Sequence, residues 1–257
     1  MIEQNHSYEI KDKIAILKIS GPIDNKDKLL HLSRQLNIFY EDVISNHEIR
    51  VIVLVDTNEK AFDIQDVLHG GDSNLDHTAF LRRTSLTVPI SSMEQPVIAA
   101  ITGNAMGQGL ELLLACDIRM AAETSRFGLP QIKNDFIPFD GGTQRLSRLI
   151  GRGKALELIL TGKTIDAQEA MRIGLMTKIL PKRDIVQTAM ETAKEMAAKS
   201  PISLRYAKEA IQKGMDLTLE QGLRLEADLY MLIHTTKDRT EGIRAFQEKR
   251  EALFKGE

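Results

Sequence analysis

Tryptophan is absent from the 257 residues, and cysteine occurs once. A single Cys116 excludes an intrachain disulfide and a cysteine-based metal cluster. It sits in an apolar run, so it reads as an inert buried thiol rather than a nucleophile. Net charge is nearly absent too, at −2 from 34 Lys and Arg against 36 Asp and Glu. That balance gives no reason to expect nucleic acid as a partner. No apolar run reaches membrane-spanning length, and the polar start Met1-Ile-Glu-Gln-Asn-His6 is not a signal peptide. The expected setting is cytoplasmic, with no membrane partner. The six histidines, His6, His31, His47, His69, His77 and His234, show no metal-ligand spacing. No Gly-x-Gly-x-x-Gly follows a strand and opens a helix, so a dinucleotide cofactor is rejected. The expectation is therefore a protein that needs neither metal nor redox cofactor.

What remains is an ordinary globular composition, 42% hydrophobic and 27% charged. The length suits one large domain, or one domain with a small appendage. Residues 8–20 alternate around Asp12-Lys13 and read as a β-hairpin. Leu29, Leu32, Leu36, Phe39, Tyr40 and Val43 recur at helical spacing, which predicts an amphipathic helix over 26–45. Residues 49–55 and 96–102 are β-rich apolar runs, hence strands buried on both faces. A helix is predicted around 76–93 between them, and a short strand over 117–122. Ser125 to Pro130 reads as a loop. Strands alternating with helices imply an α/β protein. From residue 144 onward nearly everything reads as helix, the last over 239–254. The shift near 195 divides a core, 1–195, from a helical region, 196–257.

The most informative stretch is Asn104-Ala-Met-Gly-Gln-Gly-Leu-Glu-Leu-Leu-Leu-Ala-Cys-Asp117. Gly107 and Gly109 mark a tight turn into a leucine-rich helix with one acid, Glu111, in its first turn. Gln108 and Glu111 are three apart and share a helical face. A lone carboxylate among leucines is costly to bury. It either does chemistry at the helix mouth or serves as an electrostatic cap. The residues alone leave both readings open. A second glycine-bearing segment, Ile137-Pro-Phe-Asp-Gly-Gly-Thr-Gln-Arg-Leu146, can bring backbone close to a ligand or a neighbouring element.

Together with Pro96-Val-Ile-Ala-Ala-Ile-Thr102, Phe127-Gly-Leu-Pro130, Leu160-Thr-Gly-Lys-Thr-Ile-Asp166 and Glu241-Gly-Ile-Arg-Ala-Phe-Gln-Glu-Lys-Arg250, these segments resemble the enoyl-CoA hydratase/isomerase (crotonase) superfamily. The resemblance runs in register over about 95–257. It implies an α/β crotonase-like (ClpP/crotonase) spiral of ββα units, with residues 196–257 as a trimerisation region. It also implies an acyl-CoA thioester substrate and a homotrimer or dimer of trimers. Chemistry would pass through a thioester enolate, held by two backbone N–H groups.

Position by position, the resemblance makes Glu111 the first hydratase glutamate and the Gln108 N–H one oxyanion donor, where the family usually has Gly. The second glutamate is replaced by Gln131, which cannot exchange a proton but can hold a water. Asp140 stands where a small residue is common. It is the candidate substitute acid, with capping of the following helix as its structural alternative. The other oxyanion donor falls on Phe62 or Asp63, in the shortened segment Lys60-Ala-Phe-Asp-Ile-Gln-Asp66. Phe246 and Lys249 match positions that contact the nucleotide part of CoA. The activity implied is a lyase adding water to, or removing it from, an α,β-unsaturated acyl-CoA. A relocated acid would suit a cyclic or dienoyl acyl group. The alternatives are an isomerase, hydrolase or decarboxylase on the same scaffold, or a non-catalytic CoA-binding subunit.

Overall fold

The computed structural model describes residues 8–65 and 77–257. The hairpin is β1 (Tyr8–Lys11) and β2 (Ile14–Ile19), and α1 (Lys26–Ser45) follows it with Asn25 as N-cap. The Asn25 side chain accepts from the Lys28 N–H at 3.0 Å, which satisfies one of the orphan donors of the first turn. Leu29, Leu32, Leu36, Phe39 and Val43 form its buried stripe.

Three turns of chain then repeat one plan. Each lays a long strand in one sheet, a very short strand in a second sheet, and then a helix. The first turn is β3 (Val51–Asp56) and β4 (Asp63–Ile64), with α2 (His77–Thr84) and α3 (Thr87–Ser91). The second is β5 (Val97–Ile101), β6 (Ala105–Gly107) and α4 (Gln108–Leu114). The third is β7 (Ile118–Ala122) and β8 (Arg126–Gly128). It continues through a 3-10 turn at Pro130–Asn134 into α5 (Gly142–Ile150) and α6 (Arg152–Thr161). A return strand, β9 (Thr164–Asp166), leads through α7 (Ala167–Arg172) to β10 (Lys178–Leu180). The large sheet has the order β1-β2-β3-β5-β7-β10 and the small one β4-β6-β8-β9. Apart from the β1–β2 hairpin and the β8–β9 pair, all neighbours are parallel. This is the ββα spiral the resemblance implies.

Both faces of the large sheet are covered, which is why β5 and residues 51–55 of β3 are apolar throughout. One face packs on α1, α4 and Phe62. The other packs on Ile185, Ala189, Ala193 and Ala197 of α8 (Ile185–Ala197). Beyond it come α9 (Pro201–Gly214), α10 (Leu219–Ile233) and α11 (Lys237–Glu248). Among the described residues no helix is long and apolar enough to cross a membrane.

Four readings change. The helix around 76–93 is two helices broken at Ser85-Leu86, and residue 76 lies outside the described residues. The loop at 125–130 contains strand β8, and the turn at Gly107 is the end of strand β6. The last helix stops at Glu248, because Lys249 adopts a left-handed conformation (φ 53°) and the chain folds back. Buried Asp238 accepts the Lys255 and Gly256 N–H groups at 2.7 and 3.0 Å and the Ser200 hydroxyl at 3.0 Å, while Arg50 donates to the Phe254 carbonyl. Asp238→Ala strands three donors. It is expected to cost about 2 kcal/mol of stability, measurable as a lower urea midpoint at unchanged slope.

Candidate active site

The site is built where α4 starts. Gly107 has φ 56° and an ideal Cβ there would lie 2.3 Å from the Ile64 carbonyl oxygen. At Gly109 the Cβ would lie 1.9 Å from the Phe62 carbonyl oxygen. Only glycine allows the first turn of α4 to rest directly on β4. The two candidate oxyanion segments, Phe62-Asp63 and Gln108, are thereby brought side by side. Met106 N–H donates to the Phe62 carbonyl at 3.0 Å, and Asp63 N–H reaches the Lys60 carbonyl only at 3.4 Å. The Phe62 side chain is fully buried and fills the core. Among the described residues no side chain caps α4, so its leading N–H groups have no side-chain acceptor there. Asp66 and His69 lie outside the described residues.

Glu111 is 0% exposed. Its Oε1 accepts two backbone N–H groups, from Asp140 and Gly142, each at 2.8 Å. Its Oε2 accepts from Gln131 Nε2 at 3.2 Å. A Cβ at Gly142 would lie 2.9 Å from Glu111 Oε1, so glycine is what lets that turn close on the carboxylate. Burial pushes the Glu111 carboxyl up to about 7; the two N–H bonds and Arg145 oppose this, and the Asp140 charge adds to it. A carboxyl poised near neutrality, gripped on one oxygen and less held on the other, can take up and return a proton. The Gln131 Oε1 is buried and has no hydrogen-bond partner among the described residues. It is an acceptor waiting for a donor, next to the Glu111 oxygen that accepts one bond among the described residues.

Asp140 is brought to Glu111 by its backbone N–H, while its carboxylate faces other partners. Its carboxylate accepts five hydrogen bonds: Ser85 Oγ at 2.6 Å, Leu86 N at 2.7 Å, Thr87 N at 3.3 Å, Thr87 Oγ1 at 2.7 Å and Gln108 Nε2 at 3.0 Å. Oxygens occupied by five donors have no room for a proton in transit. The expectation that Asp140 replaces the missing glutamate draws no support from this arrangement, which suits a side chain that anchors its neighbours. It does not cap the helix after it either; it holds the start of α3, the helix that begins at Thr87. The Gln108 side chain, to which the resemblance gives no role, links this carboxylate to the Thr84 carbonyl at 2.6 Å. The pairing of Gln108 with Asp140 joins positions 32 residues apart, and no local pattern signals it.

Phe246 lies in the last turn of α11 and Lys249 just past its end, with Phe246 85% exposed and Lys249 also exposed. Among the described residues no hydrogen bond or ion pair joins either of them to Glu111, Gln131 or Asp140. Cys116 is buried and its thiol is pushed up to about 12 by that burial, which leaves it inert at neutral pH. Among the described residues no cluster of three His, Cys, Asp or Glu is arranged as a metal site.

Comparison with known proteins gives the same answer along the whole chain. A sequence model of the enoyl-CoA hydratase/isomerase family matches residues 9–257. The enoyl-CoA hydratase/isomerase-type protein YngF of Bacillus subtilis is 41% identical, over 97% of this chain and 97% of its own. The short-chain-enoyl-CoA hydratase of Clostridium acetobutylicum is 32% identical, over 96% and 95%. The crystal structure of an enoyl-CoA hydratase from Bacillus anthracis superposes with a TM-score of 0.86 at 38% identity, covering 99% of this chain and 100% of that one.

Proposed function

The chain belongs to the enoyl-CoA hydratase/isomerase family, and from there we propose that it hydrates an α,β-unsaturated acyl-CoA with Glu111 as its one acid/base. It is a hydratase-type lyase. The observation that carries the single-carboxylate reading is the Glu111 environment: Oε1 fixed by two N–H groups, Oε2 beside Gln131, and a carboxyl poised near 7. Ionised Glu111 takes a proton from a water that Gln131 Oε1 holds through the water's other hydrogen. The water oxygen bonds to Cβ as the C=C pair moves toward the thioester. The enolate oxygen is met by backbone N–H groups of Gln108 and the Phe62-Asp63 turn. Glu111 then returns the proton to Cα, and the carboxylate is regenerated. Gln131 argues against a one-carboxylate isomerase with its acid at that position. A cyclic or dienoyl acyl group would call for a relocated acid, and the five donors on Asp140 do not support one.

Phe246 and Lys249 are retained as contacts for the CoA nucleotide, and the exposed apolar residues Ile211, Leu219, Leu223 and Met231 support assembly into trimers. The test is incubation with crotonyl-CoA and longer or cyclic enoyl-CoA esters in H₂¹⁸O. ¹⁸O in the 3-hydroxyacyl product supports the reading. Tight binding without turnover would favour a non-catalytic subunit.

A pH dependence follows. Hydration needs ionised Glu111, so kcat/KM is expected to fall along a single ionisation as pH drops below about 7. The stability linkage runs the other way. Because the folded state raises this carboxyl above its ordinary 4.5, the stability it contributes is full below that value and is lost as pH rises through about 7. A pH–rate profile with parallel urea melts reads both.

A further inference from the structure

We propose that the Gln108 side chain and Asp140 form a positioning pair that sets the geometry and charge around Glu111; the inference rests on the acid/base reading above. The two side chains, 32 residues apart in sequence, touch, Nε2 to Oδ2, at 3.0 Å. Both residues are buried. The pair spends its remaining bonds on one short piece of chain: Gln108 donates to the Thr84 carbonyl, and Asp140 accepts from Ser85, Leu86 and Thr87. That piece is the break between α2 and α3.

The consequence for Glu111 is direct. One of the two peptide N–H groups that hold Glu111 Oε1 belongs to Asp140 itself. A residue whose side chain is fixed at five points has little freedom left in its own backbone. The turn Asp140-Gly141-Gly142 therefore presents its Asp140 and Gly142 N–H groups to Glu111 at a set distance, and such placement is worth much in rate. Arg145 seals the turn, donating to the Asp140 carbonyl and to Thr87 Oγ1, each at 3.2 Å. The pair acts on charge as well. Among the described residues Asp140 and Arg145 act on Glu111 by charge, in opposite senses. Gln108, Gln131 and Gly142 around it are neutral, Asp63 of β4 is engaged by Gln65 at 2.5 Å, and Arg148 of α5 by Gln144 at 3.2 Å. Asp140 is thus a positioning residue and not a catalytic one.

The test reads Glu111 without turnover. Protein labelled with ¹³C at glutamate carboxyls is titrated by NMR, and the Glu111 signal is identified by its loss in Glu111→Gln. Asp140→Asn is expected to lower the Glu111 midpoint by about half a pH unit or more and kcat by about 10-fold, with KM little changed. Gln108→Leu keeps the charge; it is expected to leave the midpoint in place and lower kcat by a similar factor. An Asp140→Asn protein with an unmoved midpoint and unchanged kcat overturns the proposal, whatever its stability. Should that variant fail to fold, Thr87→Val removes one donor from Asp140 and keeps its shape. A kcat loss of about 3-fold or more at constant KM then supports the pair, and an unchanged kcat overturns it. Were Glu111→Gln to keep full turnover, the acid/base reading would fall, while the midpoint shift would still report on the pair.

Discussion

Glu111→Gln is expected to lower kcat for hydration by about 10³-fold, with KM for the enoyl-CoA nearly unchanged. The amide is close to the carboxylate in shape, and its Oε1 can still accept the Asp140 and Gly142 N–H groups. Ground-state binding should survive for that reason. What disappears is the group in the cluster that can take the water's proton and hand it back to Cα. The oxyanion donors at Gln108 and near Phe62 are untouched, so a residual rate above the uncatalysed one is expected to remain. A parallel measurement checks the cause: the acid limb near pH 7 should vanish with the carboxyl that produces it. A variant that kept more than about a tenth of wild-type kcat would sink the assignment of Glu111 as the acid/base.

The part of this site that could be read from sequence is the part written in short-range pattern. Glu111 in the first turn of a leucine-rich helix is visible because Gly107, Gly109 and the leucines lie within one stretch. The long strands β3 and β5 and helix α1 are equally visible, since each carries enough residues for a period to show. The second sheet is not. Strands β4, β6, β8 and β9 have two or three residues each, too few for an alternation to stand out from a turn. Yet it is this sheet that carries the Phe62 segment against α4. Asp140 fails for another reason. Its neighbours in sequence, Gly141-Gly142-Thr143, offer a helix start, and a helix start suggests a cap. The five groups that actually bind its carboxylate come from Ser85, Leu86, Thr87 and Gln108, 32 to 55 residues away. Only the tertiary fold brings them together. The same holds for the tail, where the Arg50 donor and the Asp238 acceptor hold a folded-back chain in place of the helix that the residue pattern would have continued.

The opposite substitution, Gln131→Glu, is expected to raise kcat for hydration by about 10²-fold. The side chains have the same length, and the position already faces Glu111 at 3.2 Å. The new oxygen would take the place of Nε2, the one donor Gln131 gives to Glu111. Two carboxylates at that distance cannot both ionise cheaply, so near neutral pH they share one proton. That shared proton answers the donation from Nε2 and keeps the geometry. It also supplies a second route to Cα: one carboxylate activates the water while the other, protonated, delivers to carbon, so a single group no longer has to do both in turn. The buried Gln131 Oε1, without a hydrogen-bond partner among the described residues, marks where the second group would act. The pH profile carries the signature. Wild-type enzyme should show one limb, rising to a plateau above about 7; the variant should show a bell, because activity then needs one carboxyl ionised and its partner protonated. A faster enzyme with an unchanged single limb would mean that the introduced carboxyl helps by some means other than proton transfer. A slower one with the bell would mean that Glu111 and Gln131 are not set on opposite sides of one water.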